Sequence, residues 1–263
     1  MMEKKKTIAV AMIVKNEADQ LGACLESVAH WVDEIVILDS GSHDGTEAIA
    51  RQFTDKFYVN KEWPGFGPQR RLAQSHVVSD YILWLDADER VTPELKNSIL
   101  SVLSHPQENR VYAVPRLSWA FGRYIRHSGW YPGYVARLYP CCLTQYDTAL
   151  VHEKVEIPSG VTVERLKGDL LHFTFTSLGQ YLAKSAMYAE SWAKQGENEG
   201  KKGGVGLGIL HAMGRFFKMY VLKAGFMDGR QGIVLAWLAA NSVFAKYVEL
   251  WVRASTSRQK STD

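Results

Sequence analysis

The sequence predicts an α/β fold built on a mostly parallel sheet, and three observations predict it. Over the first hundred residues short apolar runs alternate with segments of helical spacing, the order expected of parallel strands joined by crossover helices. The apolar runs are nearly continuous, as strands buried on both faces require. Three of them end in polar turns that carry carboxylates, and open parallel sheets bind ligands at that end.

Residues 8–14 form the first strand and break at Lys15-Asn16-Glu17. The basic start before this short run lacks a small-residue cleavage site, so it reads as a strand and not as a signal peptide. A helix over 18–30 gathers Leu21, Leu25, Val28 and Ala29 on one face. The second strand, 34–38, ends in Asp39-Ser40-Gly41-Ser42-His43-Asp44-Gly45-Thr46. Its two glycines permit a tight turn with close backbone approach to a ligand, and Ser42 or Asp44 caps a helix through Gln52. Asp39 is either a turn residue or the acid that holds a ribose hydroxyl. A short strand at 57–60, a Gly/Pro loop at 63–68 and a helix over 69–76 lead to the strand at 81–85.

That strand ends in Asp86-Ala87-Asp88-Glu89. Crowded carboxylates repel one another unless a cation sits among them. On an extended backbone Asp86 and Asp88 point the same way, and two hard oxygen ligands suit Mg²⁺ or Mn²⁺ completed by waters and a diphosphate. The alternative is a solvated acidic turn before a helix at Pro93.

After a strand at 111–115, aromatic and basic residues alternate: Trp119, Phe121, Arg123, Tyr124, Arg126, His127, Trp130, Tyr131, Tyr134 and Arg137. Such a stretch suits sugar rings and anionic groups, or fills an irregular core. A strand over 149–155 contains His152-Glu153, whose side chains face opposite ways and need partners if buried. Ser177 caps a helix over 179–195, and a Gly/Lys/Glu-rich linker over 196–208 follows. Apolar helices with basic residues over 207–223 and 229–251 contain no clean membrane span, which suits the interface of an anionic membrane or packing on the catalytic body or on another subunit. The expected domains are 1–200 and 201–263. Three cysteines without metal or redox spacing fit a reducing compartment, and a net charge of +3 is too mild to imply nucleic acid.

Taken in order, the turns after the first, second and fourth strands resemble the type-A fold of glycosyltransferase family 2. Gly67-Pro68-Gln69-Arg70-Arg71-Leu72-Ala73 sits where that family carries a basic residue. The resemblance implies that Asn16, Glu17, Asp39 and Arg70 surround the nucleotide, that Asp86 holds ribose and that Asp88, with Asp86, holds the metal-bound diphosphate. Val151-His152-Glu153 is similar to a Val-His-Glu of members that decorate lipopolysaccharide, which implies Glu153 as general base and His152 on the diphosphate side, or the reverse. Gly225-Phe226-Met227-Asp228-Gly229-Arg230-Gln231-Gly232 resembles the end of lipopolysaccharide core β-1,4-glucosyltransferases. That implies inverting transfer from UDP-glucose to an inner-core heptose on the cytoplasmic face of the bacterial inner membrane. Mg²⁺ or Mn²⁺ is the implied cofactor, and Trp130, Tyr131 and Arg137 are expected at the acceptor. The chain departs from many relatives at Arg71, where they carry Asn. The rival readings are another UDP-sugar or another lipid or protein acceptor, and a membrane-bound carbohydrate-binding protein without turnover. Retention of Asp88 and Glu153 favours an enzyme.

Overall fold

The computed structural model describes residues 6–150, 153–175 and 177–259. It divides into two compact units: residues up to Arg116 with Gly133–His172, and Leu117–Pro132 with Phe173 onward.

In the first unit β1 (Ile8–Val14) runs parallel to β2 (Glu34–Asp39), with Val14 opposite Asp39. The helix α1 (Ala18–Glu26) buries Leu21, Cys24 and Leu25. After α2 (Thr46–Ala50) come β3 (Phe57–Val59), α3 (Phe66–Gln74) and β4 (Tyr81–Trp84), and both strands add in parallel. Alternate side chains enter separate cores: Val10, Met12 and Leu83 lie in one, Ala11, Ile82 and Trp84 in the other. That two-sided burial is why these strands are apolar without a break. The helix α3 starts three residues before the expected 69, because Pro68 falls in its first turn, where a missing N–H costs nothing.

The remaining elements are β5 (Glu89–Val91), α4 (Pro93–Ser104), β6 (Arg110–Ala120), β7 (Arg123–Tyr124), β8 (Gly133–Pro140), β9 (Thr162–Arg165) and β10 (Leu170–Phe175). The sheet order is β3-β2-β1-β4-β8-β6-β10-β5, with β7 and β9 each on β6. The strands β1 to β4 form the expected parallel set and β9 runs parallel to β6; β8 is antiparallel to both β4 and β6, and β5 to β10, so the sheet is mixed. No helix joins β6 to β8, and without a crossover the chain returns antiparallel.

The strand expected over 149–155 is absent among its described residues. Ala149 and Leu150 instead turn their carbonyls to the N-terminus of α3, accepting from Gly67 N–H at 3.0 Å and Phe66 N–H at 3.1 Å. That helix has no side-chain cap, so the loop supplies acceptors its first turn lacks. A side chain at Gly67 would overlap the Asp147 carbonyl oxygen.

The second unit contains α5 (Leu178–Asn198), α6 (Val205–Phe217), a π turn (Lys218–Leu222), a 3₁₀ turn (Gly225–Asp228) and α7 (Gly229–Gln259). Ser177 caps α5, its hydroxyl accepting from Gln180 N–H at 3.2 Å. The expected linker narrows to residues 199–204. The expected boundary at 200/201 falls inside this unit, because α5 packs on α7: Ser185 donates to Ser242 at 2.8 Å and Trp192 meets Tyr247 at 5.2 Å. Buried Asp228 accepts from the backbone N–H of Arg126 and His127 at 3.1 and 3.0 Å, fastening the aromatic loop to the turn before α7. The helix α7 extends beyond the expected 229–251 and makes up most of a helical stretch (Gly225–Thr256) long and apolar enough to cross a membrane by length and composition.

Candidate active site

The site forms where β1, β2 and β4 end in the first unit. Asn16 takes a left-handed backbone, φ 55°, that asparagine tolerates. Its side-chain Oδ1 accepts from His43 N–H at 2.9 Å, while its backbone N–H donates to Ser42 Oγ at 2.8 Å. Asp39 is buried and accepts from the N–H groups of Gly41 and Ser42, each at 2.8 Å, and from the Ser42 hydroxyl. The first two strand ends are thus laced into one rigid rim.

Arg70 organises the centre. Projecting from α3, it is 4% exposed and stacks near the rings of Trp84 at 5.1 Å and Tyr146 at 4.9 Å. Its Nη2 donates to Asp86 Oδ1 at 2.7 Å and its Nε to Glu153 Oε1 at 3.0 Å. One guanidinium therefore fixes two carboxylates that are far apart in sequence. Arg137 Nη2 donates to Asp86 Oδ2 and, at 3.0 Å, to Glu89 Oε1. Glu89 is 0% exposed, and its other oxygen accepts from Asp86 N–H at 2.9 Å. Arg116 Nη1 approaches Glu89 at 3.7 Å. Among the described residues, Arg70 Nη1 and Arg137 Nε are buried donors without a hydrogen-bond partner.

The electrostatics follow. Burial disfavours the Asp86 anion, but the Arg137 and Arg70 guanidiniums outweigh it and hold its carboxyl well below the usual carboxylate range. Burial pushes Glu89 up, with Arg137 opposing and Asp86 reinforcing the shift. Glu17 is pushed up to about 7, first by burial and then by the negative charges of Asp88, Asp86 and Asp44.

Asp86 and Asp88 do not share an extended backbone. The chain turns after β4, so Asp86 faces the two arginines while Asp88 faces β10, with its Oδ2 3.2 Å from His172 Nε2. Asp88 remains 33% exposed. An open carboxylate, an adjacent imidazole nitrogen and the anionic surplus recorded by Glu17 are a donor set that fits a divalent cation such as Mn²⁺ or Mg²⁺. Among the described residues no cluster of three or more such side chains is preassembled, so remaining coordination falls to solvent or a bound ligand.

The structure brings together Arg70, Asp86 and Glu153, and Glu17 lies within electrostatic reach of Asp88 and Asp86. Arg137, expected with the acceptor residues, is a buried anchor of Asp86 and Glu89, because its strand position points it into the charged cluster. Trp130 and Tyr131 lie in the second unit; Trp130 is half-buried against Ala120, Ile125 and Leu235, and Tyr131 faces Arg126 at 5.4 Å. His152 lies outside the described residues. Sequence reasoning gave no role to His172, Arg116 or Arg137 within the carboxylate cluster. A lone histidine or arginine in an apolar strand was the available signal.

The glycosyl transferase family 2 sequence profile matches residues 9–156. An uncharacterized glycosyltransferase of Rickettsia felis is 28% identical over 95% of this chain and 89% of its own length. The lipopolysaccharide core biosynthesis glycosyltransferase LpsC of Rhizobium meliloti is 27% identical over 94% of this chain and 95% of its own. Among solved structures, TarS 1-349 of S. aureus superposes with a TM-score of 0.47 at 16% identity, covering 70% of this chain and 64% of that one.

Proposed function

This chain belongs to glycosyl transferase family 2, and from that premise we propose that it transfers glucose from UDP-glucose to a heptose of the lipopolysaccharide inner core, inverting the anomeric centre. The observation that carries the reading is the bridge made by Arg70, which holds Asp86 at 2.7 Å on one side and Glu153 at 3.0 Å on the other. It pairs a donor-side carboxylate with a second carboxylate within one rigid frame. Similarity to LpsC over nearly the whole chain supports a lipopolysaccharide acceptor.

In this reading the rim of Asn16, Glu17 and Asp39 receives uridine, with Asp86 fixed by Arg70 and Arg137 at the ribose. Asp88 and His172 hold the cation, with Asp86 adding negative charge nearby. When bound, Mg²⁺ or Mn²⁺ supplies positive charge to the leaving diphosphate. Glu153 is the base: Arg70 fixes its Oε1, and its carboxylate takes the proton of the acceptor hydroxyl as that oxygen bonds to the anomeric carbon. The bond from that carbon to UDP breaks as the new one forms, and its electron pair leaves on the diphosphate. Trp130 and Tyr131 offer ring faces to the acceptor sugar. His152 on the diphosphate side belongs to the same proposal. The cytoplasmic face of the inner membrane is the proposed location, with the second unit contacting anionic lipid peripherally.

A panel of UDP-sugars with Mn²⁺ and purified deacylated core oligosaccharide tests the reading. Acceptor-dependent UDP release should be greatest with UDP-glucose, and product NMR should show a β linkage. Release with no UDP-sugar, or an α-linked product, contradicts it.

A further inference from the structure

The second unit has an open groove of about 480 Å³ between α6 and α7. Ile209, Met213 and Phe217 form one wall and Trp237 and Phe244 the other; Asn241 is the sole polar side chain lining it. The volume lies within the range of ~300–1,000 Å³ usual for small-molecule sites. Its lips are exposed apolar surface, with Trp237 68% and Met213 66% exposed. The chain leaving the Phe217 end carries exposed Lys218, Lys223 and Arg230. From Gly200 to Val248 the only acidic residue is Asp228, which is buried and occupied by the aromatic loop.

We propose that this groove binds one acyl chain of an anionic membrane phospholipid, whose headgroup phosphate rests on Lys218 and its basic neighbours. The inference rests on the membrane location proposed above and adds to it a defined lipid site. Two features select the occupant. An extended protein segment would bring unpaired backbone N–H and C=O groups into a wall with one polar side chain, whereas an acyl chain brings none. A second copy would set two cation-rich, acid-poor surfaces against each other, whereas an anionic headgroup complements them.

The test uses the full-length chain and single-chain lysophosphatidylglycerols of increasing length, each below its micelle concentration, with lysophosphatidylcholine as the zwitterionic control. Affinity should rise roughly fourfold per added methylene until the groove is filled, and the anionic headgroup should bind more tightly. Ala212→Trp fills the groove from α6 and should weaken binding at least tenfold, while UDP release with the deacylated acceptor stays unchanged. A brominated acyl chain should quench fluorescence in the native chain and much less in Trp237→Phe, an arm that does not depend on Ala212→Trp folding. No chain-length dependence, or equal quenching in Trp237→Phe, overturns the proposal. So does a lipid-insensitive dimer that Trp237→Ser dissociates, since the groove then belongs to a second copy. Liposome binding without chain-length dependence sinks the lipid site alone, and loss of UDP release on the deacylated acceptor sinks the transferase reading alone.

Discussion

The two compact units place charge and apolar surface in opposite ways. The first buries charge: Arg70, Arg137 and Glu89 are 4%, 5% and 0% exposed, with both arginines paired to Asp86 and Arg137 also to Glu89. The second exposes apolar surface: Trp237, Met213 and Phe217 are exposed, as are Lys218, Lys223 and Arg230. Buried ion clusters are costly unless every charge has its partner, so they add more to fixed geometry than to stability. Exposed apolar patches of this kind mark contact surfaces. In the proposed reading, transfer chemistry falls to the first unit and contact with lipid to the second.

The largest expected effect lies at Glu153. Glu153→Gln should lower transfer by ~10²–10⁴ while UDP-glucose still binds, because only the base is lost. Steady-state rates beside donor titration by calorimetry check this. An equal loss of donor affinity would make Glu153 a structural partner of Arg70 and no base.

Next is Arg137→Met, which leaves Asp86 to Arg70 alone and buried Glu89 with only the longer Arg116 contact at 3.7 Å. Breaking a buried pair on one side costs about 3–5 kcal/mol, read as a shift in the denaturation midpoint. Exposed Met213→Ser in the second unit should change stability by less than ~0.5 kcal/mol.

A smaller effect is the pH dependence of cation binding. Folding raises Glu17 from 4.5 to about 7, so the folded state holds a proton that the unfolded chain has released. Stability from this group therefore falls as pH rises from 4.5 towards about 7. A cation that favours the charged carboxylate gains affinity over the same window. Mn²⁺ titrations should tighten as pH rises through it, and Glu17→Gln should flatten the profile.

The smallest effect lies in the second unit. Lys218→Ala should weaken binding to anionic vesicles about fivefold, the share of one surface cation, and leave transfer to a soluble acceptor untouched. Vesicle sedimentation reads the first and UDP release the second.

Much of the first unit is legible in the sequence, because two-sided burial forces continuous apolar runs at 8–14, 34–39 and 81–84 and leaves the polar turns as breaks. The run at Ala149-Leu150 misleads, since its backbone caps α3 instead of joining a sheet. The identities of Asp86, Asp88 and Glu153 are visible, but their partners are not. Arg137 meets Asp86 across 51 positions and Glu153 meets Arg70 across 83, separations no local spacing encodes. The same holds for His172 beside Asp88, since strand β10 reaches that turn only through the folded sheet. The second unit is legible as apolar and basic, but the groove needs α6 and α7 side by side.

The most direct test is Asp88→Ala, assayed for Mn²⁺-dependent UDP release from UDP-glucose with the core acceptor. Asp88 is 33% exposed and its ion pair is with His172, not with the buried arginines, so the fold should survive. The account predicts a rate loss on the order of a hundredfold or more, with thermal unfolding and vesicle binding near those of the native chain. A folded Asp88→Ala protein that turns over at the native rate, with or without chelator, would contradict it.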